Sequence, residues 1–179
     1  MREKLSKIRP SKNNIYSFLF NALLLSATLW FGHYYIKVKL IKIDQEKIEY
    51  QNLVDEKKEF IKNFARLAEN KIYSAENFYK NKIGGVDNKI LDRSWENYMQ
   101  ATYEWSGEHV LNSVFIGYYF SNELKDEYNN ILVPRFEILH SNLVKTKEGE
   151  CVADMENIIE NAKNELYIVT ERLLFERFL

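Results

Sequence analysis

Glu137 and His140 are three residues apart, which is the spacing in this chain closest to metal chemistry. A Glu-x-x-His step puts a carboxylate and an imidazole on one helical face. Carboxylate-bridged di-iron sites use two such steps, plus two further glutamates, from four helices. This chain holds a single step, so His140 reads as an ordinary helix residue. There is no His-Glu-x-x-His sequence, and the lone Cys151 leaves no cysteine pair for zinc. It also rules out an intramolecular disulfide.

Glu104, Glu108 and His109 flank Trp105. A carboxylate held against an indole can have a raised pKa and act as a general acid. Spacings of four and five residues do not bring Glu104 and His109 onto one helical face, however, and Ser106-Gly107 sits between them. The cluster therefore reads as a polar patch at a helix junction. Gly84-Gly85 lacks the spacing and the following lysine of a phosphate loop. No catalytic, cofactor-binding or metal-ligating constellation emerges, and the expected protein is not an enzyme.

The aromatic residues Trp95, Tyr98, Trp105, Tyr118 and Tyr119 are concentrated in one stretch. Such a set can fill a core, present a partner-binding surface or line a small-molecule pocket. Core packing is the leading reading, and a partner or ligand surface is the functional alternative.

The elements that would carry these residues are helical. Two Pro and six Gly in 179 residues, among frequent Leu, Ile, Glu and Lys, disfavour a turn-rich β fold. Ile15 to Ile36 contains no Asp, Glu, Lys or Arg. At about 1.5 Å per residue it is long enough for a hydrocarbon layer of roughly 30 Å. It is expected to be a transmembrane helix, with residues 1–14 as a basic tail and residues 37–179 as a helical bundle domain. Ser17, Asn21, Thr28 and Gly32 fall on one face at about 100° per residue, and form a candidate membrane association stripe for self-association or a partner helix.

No Gly or Pro occurs from His33 to Ile83, so this helix is expected to run on into the domain. Residues 36–43 alternate like a strand but are read as helix. Leu53, Phe60, Phe64, Leu67, Ala75 and Phe78 share one face, on which Lys57 and Lys71 intrude and limit burial. Four bundle helices are expected, over about residues 40–83, 88–120, 122–146 and 151–178. Pro134 should kink or split the third. In the last, Val152, Met155, Ile159, Ala162, Leu166, Val169 and Leu173 alternate steps of three and four, a heptad seam.

Charge narrows the partners. Residues 1–14 carry a net +4, leaving −5 on the remainder of a chain whose total is −1. A mildly acidic domain is a poor ligand for nucleic acid, whose affinity comes largely from phosphate neutralisation. With more basic residues before the apolar run than after it, the domain is expected outside an inner membrane, more periplasmic than cytoplasmic. The function expected is a membrane-anchored interaction or assembly protein of the bacterial envelope, binding itself or another protein. The alternative is a tethered sensor or effector of the stress or phage-defence type, acting through its anchor.

Overall fold

A computed structural model describes the backbone of residues 12–176 and the side chains of residues 16–176. The fold is all-α: α1 Lys12–Ile83, α2 Asn88–Tyr119, α3 Asn122–Glu127, a π-helical turn at Tyr128–Leu132, α4 Val133–Glu148 and α5 Met155–Glu176. The chain divides into two units, residues 1–52 and residues 53–179, with the boundary inside α1.

In the first unit every described side chain is exposed. The alternating stretch at residues 36–43 is helix, as its place in an uninterrupted helix-forming run requires. Among the described residues no helix is long and apolar enough to cross a membrane. This overturns the transmembrane reading of residues 15–36. The single-pass inner-membrane location and the periplasmic placement of the domain fall with it. A run without charge is not thereby apolar: Asn21, Ser26, Thr28 and His33 interrupt it, and Tyr34 and Tyr35 close it. Residues 1–11 of the basic tail lie outside the described residues, as do the side chains of residues 12–15, whose backbone belongs to α1.

The second unit is the bundle. Its start and stop signals are local. Asp87 accepts a hydrogen bond from the Lys89 amide at 2.8 Å and opens α2. Ser121 Oγ does the same for the Leu124 amide at 3.2 Å and opens α3. Gly149 ends α4 in the left-handed region, at φ 96°, with its amide donating to the Thr146 carbonyl at 3.2 Å. A side chain at that φ is strained, so Gly149→Ala should lower bundle stability by about 1 kcal/mol. Chemical unfolding monitored by helical circular dichroism measures this directly, and an unchanged midpoint would refute it.

The expected third helix is divided into α3 and α4, joined through the π-helical turn. Pro134 lies in the first turn of α4, immediately after that turn. Proline lacks an N–H and its ring crowds the carbonyl four residues earlier. The wider π turn gives that carbonyl room, which is how the helical path continues through it. Ser106-Gly107, by contrast, leaves α2 uninterrupted.

One apolar core joins these elements. α1 contributes Phe64, Leu67, Ala75 and Phe78, and α5 contributes Met155, Ile159, Ala162, Leu166, Val169 and Leu173. The heptad seam of α5 is thus buried inside its own bundle. Arg172 fastens the far end of α5 to α3, bridging Glu123 at 3.3 Å and also pairing with Glu127.

Candidate functional site

The five aromatic residues are divided by the bundle. Tyr98 and Trp105 are buried, and Trp95 packs on Phe78 and Tyr98 with ring centroids 4.9 and 5.5 Å apart. Tyr118 faces outward, and Tyr119 donates to Glu56 at 3.3 Å from the bundle surface. Trp95, Tyr98 and Trp105 therefore belong to the interior, while Tyr118 belongs to an outer strip of α2 with Val110, Leu111, Val114 and Phe115.

Around Tyr98 lies a group of ionisable side chains whose proximity no short motif announces. Its hydroxyl is 2.9 Å from Nδ1 of His140, and their rings stack at 5.8 Å. Lys71 of α1 is only 4 % exposed and holds its ammonium 5.1 Å from the Phe136 ring centre. That cation–π contact is a partial substitute for water. Among the described residues no carboxylate lies within ion-pair distance of Lys71.

The electrostatics follow from burial. Desolvation pushes the Lys71 ammonium down to about 8, and the charge of Glu137 opposes the shift. Burial, followed by the Lys71 charge, also lowers His140. Burial pushes the Tyr98 phenol up to about 12. Each group is driven towards its neutral form, and the Lys71 charge adds to burial in disfavouring the His140 cation. Glu137 itself points to solvent, so the Glu137–His140 step splits between surface and partly buried interior. No three His, Cys, Asp or Glu among the described residues gather where a metal ion would sit. Glu104 holds Gln100 at 3.0 Å, and the His109 ring contacts the Ser106 carbonyl at 3.0 Å, each on its own helix.

The surfaces available to a partner are apolar. In the first unit Phe18, Leu19, Phe20, Leu23, Trp30 and Phe31 are all exposed. The stripe residues Ser17, Asn21, Thr28 and Gly32 lie on this same helix. The Thr28 hydroxyl is spent on its own helix, donating to the Leu24 and Leu25 carbonyls at 2.9 Å. Gly32 has open space where a Cβ would stand, so the helix surface there admits close approach. With membrane burial removed, the four residues are positions on an exposed helix.

In the second unit an apolar groove of about 470 Å³ runs between α1 and α5, floored by Ile72 and Leu166. It continues into a hollow of about 410 Å³ lined by Leu174 and Phe175. Thr170 lines both, and its buried hydroxyl has no hydrogen-bond partner among the described residues. At the groove's rim, Lys80 and Lys163 hydrogen-bond Glu76 and hold its carboxyl below the usual carboxylate range.

These features define a class: an all-α helical bundle with a buried ionisable cluster and extensive exposed apolar helix surface. No protein-family model, characterised protein or solved structure matches this chain.

Proposed function

We propose that this chain is an interaction and assembly protein that associates with copies of itself through the first unit of α1. The observation carrying this reading is the exposed helix from Tyr16 onward, on which Phe18, Leu19, Phe20, Leu23, Trp30 and Phe31 all leave large apolar side chains on the surface. Helices owe most of their stability to packing of an apolar face, and contiguous exposed apolar surface marks an interaction site. The stripe of Ser17, Asn21, Thr28 and Gly32 supplies a flat line along which another helix can approach. Asn21 has the one side-chain amide on that line, able to donate and accept across a symmetric helix pair.

Asn21→Leu is expected to keep the bundle folded and to change the oligomeric mass or spread it over several states. The full chain in mild detergent, measured by sedimentation velocity, provides the test. A wild-type chain that is monomeric across the micromolar range would end the proposal. An unchanged mass for Asn21→Leu would remove the stripe from it.

A further inference from the structure

The groove between α1 and α5 lies wholly within the second unit and uses a later stretch of α1 than the assembly surface above. Three aromatic side chains border it and its continuation: Tyr73 on α1, and Tyr167 and Phe175 on α5, exposed by 70, 67 and 70 %. This is a second apolar stripe on α5, beside the heptad seam that faces the core. Surface of this kind, with a hydroxyl buried beneath it and unpaired, is unlike the ordinary solvated face of a bundle.

We infer that the groove is an interface with a second copy of this chain, in which the two α5 helices cross antiparallel about a twofold axis at Tyr167. The charge pattern selects this occupant. An antiparallel pair centred on Tyr167 sets position 163 of one copy opposite position 171 of the other, because each lies four residues from the axis. Those positions are Lys163 and Glu171, of opposite sign, and the match occurs twice by symmetry. Glu171 makes no ion pair within its own chain among the described residues, whereas Lys163 sits on the rim at 2.9 Å from Glu76. Asn164 falls opposite Thr170 in the same register, a polar side chain facing a polar one.

The aromatics supply the larger part of the area. Three per copy, each able to bury roughly 150 Å², give two copies at most about 900 Å², against the roughly 1,000 Å² that a specific interface should clear. Leu174 adds to this from the continuation of the groove. The inference deepens the assembly reading and rests on it for biological meaning, but it uses a different surface.

The test is made on the full chain carrying Cys151→Ser, since Cys151 is an exposed free thiol. A cysteine on a twofold axis meets its own copy. Tyr167→Cys should form a disulfide-linked dimer under mild oxidation at least tenfold faster than Tyr103→Cys, an equally exposed control on α2. In a separate series Glu171→Lys should weaken dimerisation at least tenfold, and adding Lys163→Glu should restore it. Equal crosslinking rates at the two cysteines would overturn the inference, as would failure of the double reversal to rescue while its helical content is native. If Asn21→Leu alters the mass while Tyr167→Cys stays uncrosslinked, α1 is the interface and this groove is not. Crosslinking at Tyr167 in a chain indifferent to Asn21→Leu gives the reverse result.

Discussion

Lys71→Met is expected to stabilise the bundle at pH 7 by about 3 kcal/mol, although it removes a contact to Phe136. The ammonium is protonated in both folded and unfolded chains at that pH, and in the folded chain it is nearly without water. A shift from 10.5 to about 8 corresponds to roughly 3 kcal/mol of disfavoured cation at 1.36 kcal/mol per pKa unit. Methionine fills similar volume without that penalty. Glu137, the charge that favours the ammonium, is exposed and remains solvated when Lys71 is gone, so no buried charge is orphaned.

The sign of the pH dependence distinguishes this account from simple repacking. Between pH 8 and 10.5 the unfolded chain keeps a proton that folded Lys71 has lost, so stability rises with pH across that window. Tyr98 acts in the opposite direction. Its phenol ionises near 10 when unfolded but only at about 12 when folded, so stability falls as pH rises through that interval. Wild type should therefore show a stability maximum near pH 10, and Lys71→Met should lose the rising limb and keep the falling one. Urea unfolding at a series of pH values reads both limbs. His140 provides an independent readout: its pKa should rise in the variant, because one of the two causes lowering it has been removed. A variant no more stable than wild type at pH 7 would refute the assignment of a desolvated ammonium.

Lys71 also marks where the sequence ceased to be legible. The α1 face containing Phe64, Leu67, Ala75 and Phe78 is plain in the spacing, and so is the α5 seam from Met155 to Leu173, because helical periodicity is a local property. Caps such as Asp87 and Gly149 are local too. A lysine on an apolar face reads as a sign of limited burial, whereas Lys71 is almost completely enclosed. Its enclosure depends on Phe136 and His140 arriving from α4, far along the chain, a juxtaposition no spacing rule encodes.

The N-terminal half of α1 departs from its pattern in the opposite direction. Absence of charge between residues 15 and 36 was visible, but mean apolarity, with Asn21, Ser26, Thr28 and His33 inside the run, falls short of a membrane span among the described residues. The aromatic residues show a third kind of limit. Trp95, Tyr98, Trp105, Tyr118 and Tyr119 are concentrated in one stretch, yet the turn of α2 against its neighbours sends Trp105 inward and Tyr118 outward. That orientation depends on where α1 and α4 lie, which α2 alone does not specify.

Trp105→Ala is expected to destabilise the bundle by about 3–5 kcal/mol, within the range for removing a buried large aromatic. The indole is 3 % exposed and touches three other elements: Phe136 of α4 at 4.7 Å, Phe64 of α1 at 5.9 Å and Tyr128 of the π turn at 6.2 Å between ring centres. Those rings are themselves fixed, since Tyr128 donates to the His109 carbonyl at 3.1 Å. A cavity left at their junction cannot collapse cheaply, which places the cost towards the upper part of the range. Tyr118→Ala on the same helix should stay within about 0.5 kcal/mol of wild type, because its ring is 76 % exposed. The paired measurement is a thermal melt followed by circular dichroism. A large loss at Trp105 with none at Tyr118 assigns the first ring to the core and leaves the second free for surface contacts. Comparable losses at both would mean that α2 is rotated from the orientation described, and that its outer strip of Val110, Leu111 and Val114 is packed against something after all.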